Sequence, residues 1–259
     1  MAPPKASVAP PQASGSGTGR FRSLIVSKRT NAARHAPPVR PPALKQKAVV
    51  LLTGFGPFPG VSRNVSADLA VEVARLAALR QTEFHFVCDV LPVEWATAPA
   101  RLQALLDQHR PEMAIHFGVS ARARSFVIET HAYNEVRNVP DEAGQCATAE
   151  HLVTGDRTER RATLPVQRAL QALRSAGYPA ELSSDPGRYL CNAILFHSLR
   201  HAARANPRTR TGFIHVPATL EPGILGEPSL LDWKELRDGG VHLIEFCLAA
   251  LRPRAGHLS

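Results

Sequence analysis

A thiol hydrolase must bring a cysteine and a histidine together, and one such pair in this chain is spaced to allow it. Cys191 lies in Ser184-Asp185-Pro186-Gly187-Arg188-Tyr189-Leu190-Cys191-Asn192, and His215 follows 24 residues later in Gly212-Phe213-Ile214-His215-Val216-Pro217. Asp185 and Pro186 are residue types of an N-cap and a first helical position, so a helix is expected from there to about Ala203. That start puts Cys191 in the second turn. A helix N-terminus stabilises a thiolate, and so does a neighbouring imidazolium. Thr211 to Val216 reads as a strand, which sets His215 at its carboxyl end, where α/β sheets gather their ligands. Each residue alone has a plainer reading. A free cysteine is usually a small buried hydrophobe, and a histidine in an apolar strand can simply be hydrogen-bonded in the core. Cys88 and Cys247 read as core residues of that kind, and Cys146 as an exposed loop residue.

The imidazole of such a pair needs a third group to orient it. Glu129, in Phe126-Val127-Ile128-Glu129-Thr130, is a candidate because a carboxylate inside an apolar strand is costly unless paired. Its plainer reading is an edge strand with Glu129 facing water, and Asp89, also at a strand end, is a rival. His197 and His201 are spaced i, i+4 but lack a third ligand, so they read as surface residues and not as a metal pair. Gly54-Phe55-Gly56-Pro57-Phe58 is a glycine-rich turn without the Gly-Lys-Ser/Thr of a phosphate loop or the spaced glycines of a dinucleotide site. Phe55 and Phe58 suit a flat, neutral, apolar ligand, or else plug the end of the sheet.

The elements that must position these groups alternate. Ala48 to Thr53 is a continuous apolar run, as in a buried parallel strand, and Gly54 to Gly60 reads as a loop. A helix capped by Asn64 or Ser66 runs to about Leu79. Strands are expected at Phe84 to Leu91, Met113 to Phe117 and Ser125 to His131, and helices at Glu94 to His109 and Thr163 to Ala176. Residues 135–160 read as polar loop, and a last helix spans Leu230 to Leu251, weakened by Gly239-Gly240. This pattern implies one α/β domain over residues 47–259, with a mainly parallel twisted sheet and helices on both faces.

Residues 1–46 differ in kind. They hold eight of the 22 prolines and read as a disordered basic tail rich in Pro, Ala and Ser. A targeting segment or an upstream start are the other readings of it. Of 31 Lys and Arg, nine lie in residues 1–47, which carry no Asp or Glu. The remaining 22 basic side chains balance 22 acidic ones, so the net charge of +9 belongs to the tail. A neutral body argues against nucleic-acid binding by the folded domain. The four cysteines are far apart and without a CxxC pair, which points to a reducing, cytoplasmic compartment. No apolar run reaches 18 residues, so no membrane span is expected.

Five segments in order resemble the pyroglutamyl peptidase I (pyrrolidone-carboxylate peptidase) family of cysteine peptidases. They are Thr53-Gly54-Phe55-Gly56-Pro57-Phe58-Pro59-Gly60 with Asn64; Val90-Leu91-Pro92-Val93; Glu129 through Asn134 with Arg137-Asn138-Val139-Pro140-Asp141; Pro186 through Asn192; and Phe213-Ile214-His215-Val216-Pro217. The chain departs from the family in Gly118 to Arg124, in a span one residue shorter between Asn134 and Pro140, in Pro186, and in Ala218 to Pro222.

The resemblance implies an exopeptidase that removes an N-terminal pyroglutamyl residue from peptides. It implies a Cys191, His215, Glu129 triad and a thioester intermediate, with no metal or cofactor. Phe55 and Phe58 would hold the lactam ring, and the backbone N–H of Cys191 or the side chain of Arg137 would face the oxyanion. By analogy it implies a homo-oligomer, a tetramer. The rival readings are a divergent cysteine amidase of the same fold acting on another small acyl group, and a catalytically silent binding protein.

Overall fold

The computed structural model describes residues 47–58, 60–220 and 228–251. The tail 1–46 and the stretch at Glu221 and Pro222 lie outside the described residues, and so do the expectations made for them. In chain order the elements are β1 (Ala48–Phe55), α1 (Val65–Arg80), β2 (Phe84–Leu91), α2 (Ala98–His109), β3 (Met113–Ser120), β4 (Phe126–Glu129), β5 (His131–Tyr133), β6 (Glu159–Arg161), α3 (Val166–Ser175), β7 (Ala180–Ser183), α4 (Leu190–Ala205), β8 (Arg210–Pro217) and α5 (Trp233–Leu251).

The fold is α/β, with one six-stranded sheet in the order β2-β1-β3-β8-β4-β7. β2, β1, β3 and β8 run parallel to one another. β4 is antiparallel to β8 and parallel to β7, so the last two strands run the other way. β5 and β6 form a separate antiparallel pair. β1 reads as an unbroken apolar run because it is central and covered on both faces, from Val50 to Phe55. Side chains alternate between those faces. Val50, Leu52, Ile115, Phe117, Ile214 and Val216 pack under α1, α3 and α5. Leu51, Phe55, Ala114 and Phe213 pack under α2 and α4.

Several element bounds depart from expectation for local reasons. α1 starts where Asn64 caps it, the side chain accepting from the Ser66 N–H at 3.1 Å. α2 and α3 start later than their patterns imply, at Ala98 and Val166. β3 runs on to Ser120, and the expected strand 125–131 breaks at Thr130 into β4 and β5. β7 was not expected at all. The glycines of α5 are close-packing sites, since a Cβ on Gly239 would fall 2.6 Å from the Phe126 ring and one on Gly240 2.8 Å from Val73.

Gly54 belongs to β1 and not to a flexible loop. A Cβ there would sit 2.6 Å from the carbonyl carbon of Ser66 and 2.7 Å from Cα of Ala67, which are backbone atoms of the first turn of α1. A side chain could step aside, but a capped helix start cannot. Gly54→Ala is expected to cost about 3 kcal/mol or more in urea unfolding. A loss under about 1 kcal/mol would mean that α1 can retreat from the strand.

Candidate active site

The helix that carries Cys191 begins at Leu190, five residues after the expected N-cap. Gly187 sits at φ +79°, a left-handed conformation that no helix continues. Asp185 accepts from the Gly187 N–H at 3.1 Å, so it closes a turn and does not cap α4. Cys191 therefore lies in the first turn and not the second. The N-cap is Tyr189, in extended backbone, and no side chain caps the helix start. Cys191 thus lies at the positive end of the α4 dipole.

The turn before α4 is held from one side. The Arg188 guanidinium lies 4.0 Å over the Tyr133 ring and pairs with Glu135 and Asp185, each at 2.6 Å. The Arg188 carbonyl accepts from the Arg137 N–H at 2.7 Å. Asn192, fully buried, accepts from the Tyr133 N–H at 2.7 Å and donates to the Tyr133 carbonyl at 2.8 Å. These contacts pin both ends of the turn before Cys191 to the 133–137 segment.

His215 and Glu129 come from neighbouring antiparallel strands. Glu129 registers opposite Phe213 and Val127 opposite His215, so Glu129 and His215 are diagonal neighbours. His215 Nδ1 donates to Glu129 Oε1 at 2.7 Å. A carboxylate only accepts, which fixes the proton on Nδ1 and leaves Nε2 for the sulfur. Glu129 is 2% exposed and His215 6%, so the plainer reading of Glu129 as a solvent-facing edge residue is overturned. Burial works against an imidazolium at His215. The charge of Cys191, its hydrogen bond to the ring and the Glu129 partner outweigh it, pushing the pKa up to about 10. Asp89 does not reach this site and pairs with Arg101 at 2.6 Å.

Cys191 opens into a cavity of about 310 Å³ lined by Phe55, Phe58, Asn64, Val93, Val119 and Tyr189, among others. The walls are mainly apolar, and the volume suits a small ligand. Phe55 is both core and wall, being 3% exposed and packed on Phe213 with ring centroids 6.4 Å apart. Arg137 is exposed and is not among the residues that line the cavity.

Three residues beyond the sequence reading matter here. Phe213 lies 4.9 Å from the His215 ring, centroid to centroid, and forms its floor. At Gly118, a Cβ would fall 2.6 Å from the Phe213 ring and 3.0 Å from Cys191 Sγ, so this position must stay bare for sulfur and ring to meet. Asn192, quoted in the sequence only as the end of the segment that carries the resemblance, follows the cysteine directly and is fully buried. His197 and His201 are half-buried, and His201 pairs with Asp107 at 3.0 Å. Among the described residues no group of three His, Cys, Asp or Glu is placed to hold a metal ion, and no helix is long and apolar enough to cross a membrane.

The family model for pyroglutamyl peptidases matches residues 48–233. The pyrrolidone-carboxylate peptidase of Pyrococcus furiosus is 34% identical over 169 residues, covering 65% of this chain and 80% of that protein. Its Vibrio vulnificus counterpart is 31% identical over 200 residues, covering 77% of this chain and 92% of that protein. Among solved structures, a mutant pyrrolidone carboxyl peptidase from P. furiosus matches with a TM-score of 0.71 at 30% identity, over 79% of this chain and 100% of the other. The pyroglutamyl peptidase I of Bacillus amyloliquefaciens matches with a TM-score of 0.69 at 26% identity, over 78% and 98%.

The His215 geometry makes a titration testable. Cys191→Ala removes the sulfur that leads the groups favouring the imidazolium, so His215 is expected to titrate well below about 10, nearer the ordinary 6.5. Imidazole NMR would follow it. A raised folded-state pKa adds stability that is complete below about pH 6.5 and lost as pH rises through about 10. The wild type should therefore lose more stability between pH 7 and pH 10 than Cys191→Ala does. Equal losses, with an unmoved titration, would sever the coupling between sulfur and ring.

Proposed function

The chain belongs to the pyroglutamyl peptidase family, and from that membership we propose that Cys191, His215 and Glu129 remove an N-terminal pyroglutamyl residue from peptides. It is a cysteine peptidase acting on peptide substrates. The observation that carries the residue roles is the Glu129–His215–Cys191 chain of contacts ending at a small apolar cavity.

In this reading the Cys191 proton passes to His215 Nε2, and Glu129 holds the resulting imidazolium through Nδ1. The thiolate attacks the pyroglutamyl carbonyl carbon. The oxyanion faces the backbone N–H of Cys191 at the uncapped start of α4. The tetrahedral species collapses as His215 returns its proton to the departing amine, leaving an acyl thioester on Cys191. A water, deprotonated by His215, then attacks the thioester and frees pyroglutamate. Phe55 and Phe58 flank the lactam ring. The substrate's blocked amine is no handicap in a cavity that offers no carboxylate among its walls.

The cytoplasm and a homo-oligomeric assembly are part of the same proposal. Its four cysteines, all free, fit a reducing compartment. Light scattering on purified protein would report the assembly.

The decisive assay is hydrolysis of pyroglutamyl-anilide. The wild type should turn it over, and Cys191→Ser should lower kcat/KM by about 10⁴-fold or more. Glu129→Gln should cost on the order of 10²-fold or more, because the imidazole loses its charged partner. A proline-anilide, which lacks the lactam carbonyl, should be a far poorer substrate. No turnover by folded wild type would defeat the assignment. Equal rates on the two anilides would favour an amidase of broader acyl range.

A further inference from the structure

Directly beneath the reactive groups lies a second row of side chains that the reaction does not use. Thr53 registers opposite His116, and His116 opposite Phe213, so the three form one transverse line across β1, β3 and β8. Two residues on, about 7 Å along the strands, the same faces carry Phe55, Gly118 and His215. α4 runs down over both rows. Cys191 meets the upper row at Gly118. Ser198, seven residues and two helical turns later, meets the lower row at His116.

The lower row is polar and sealed. Thr53, His116 and Ser198 are each 0% exposed. Thr53 Oγ1 lies 2.8 Å from His116 Nδ1, and Ser198 Oγ lies 3.0 Å from Nε2. Burial lowers the His116 pKa to about 3, so the ring stays neutral, with one nitrogen donating and the other accepting. The His116 and Phe213 rings lie 6.4 Å apart, and Phe213 in turn floors His215. An apolar trio of similar volume would pack such a site at no loss of stability, so stability alone does not call for this network. Directional bonds add to apolar packing a fixed point along the helix axis, at Ser198.

We propose that His116 is a positioning residue of the reaction, locking α4 through Ser198 at the height where Cys191 Sγ meets the imidazole of His215. The inference rests on the roles given above to Cys191 and His215. Without the lock, α4 would still cover the sheet, because Leu195 and Phe196 remain buried against it. The first turn would stay tied to the 133–137 segment through Asn192 and the Arg188 carbonyl, but the body of α4 behind it would lose its fixed height, and misplacement of the sulfur by about 1 Å can cost about 100-fold in rate.

The test compares Ser198→Ala, Ser198→Thr and the apolar triple variant Thr53→Val/His116→Leu/Ser198→Ala with wild type. Three readouts are taken per folded molecule: thermal melting, kcat and KM on pyroglutamyl-anilide, and the rate at which iodoacetamide alkylates Cys191, followed on its own peptide by mass spectrometry. Ser198→Ala should lower kcat at least tenfold with KM within about twofold, and should slow alkylation to match. Ser198→Thr, which keeps the hydroxyl, should recover most of both. The triple variant should regain melting temperature but neither kcat nor alkylation. Wild-type kcat and alkylation in Ser198→Ala, or their return together with stability in the triple variant, would reduce the network to packing and overturn the proposal. Should Ser198→Ala not fold, Thr53→Val removes the other partner at constant volume and decides by the same readouts. Alkylation needs no pyroglutamyl group, so slowed alkylation in a protein inert to the anilide would refute the substrate and leave the positioning role standing.

Discussion

The hydrogen bond from His215 to Glu129 is the constraint to which the rest of the structure answers. A carboxylate at 2% exposure is tolerable only with a strong partner, and its other oxygen has no hydrogen bond among the described residues. The imidazole is thus the sole protein donor shown for that charge. Satisfying it dictates strand direction. β4 must lie antiparallel beside β8 for Glu129 and His215 to meet diagonally, and this is where the otherwise parallel sheet reverses. Once the ring is held there, Cys191 can reach it only from a helix that starts high over β3, and Gly118 must be bare beneath the sulfur. The reversed strand, the late helix start and the bare glycine thus converge on one buried charge.

Several of these features run against local stability. A helix start without a side-chain cap gives up about 1 kcal/mol, and a glycine in a central strand gives up packing. The uncapped helix start and the bare Gly118 both fall within reach of Cys191. The opposite face carries the compensation, with Leu69, Val73, Leu243 and Ile244 fully buried. Both sides of the sheet bury apolar side chains, but Cys191, His215 and Glu129 gather on the side under α2 and α4.

The meeting of Glu129, Cys191 and His215 was legible because each sits in a short segment whose composition is distinctive: Glu129 in an apolar strand, Cys191 after a turn, His215 at a strand end. The direction of β4 was not, since an apolar run reads the same both ways. The start of α4 misled because Asp185-Pro186 matches a helix opening, and only the positive φ of Gly187 shows a turn instead. β7 escaped because Ala180 to Ser183 is four residues long and takes its strand character from pairing with β4. Phe55 was read as part of a flexible turn, whereas the close approach of α1 to Gly54 extends the strand through it. Ser198 carries no signal at all in sequence, because its partner lies 82 residues away. Contacts made within a motif could be read directly, and those made between distant strands and helices could not.

The strict alternation of side chains along β3 and β8 has a consequence for how the molecule can fail. A slip of one residue in β3 would turn His116 and Gly118 to the opposite face together, and a slip in β8 would turn Phe213 and His215. Such a misfolded chain could keep its helices, its sheet and nearly its full apolar burial. It would still present the sulfur with the wrong half of the slipped strand. Heat capacity or circular dichroism would struggle to tell it from the native form. On the role proposed for Cys191, its reactivity would tell at once, and the thiol would then count the chains whose strands have paired in the correct register.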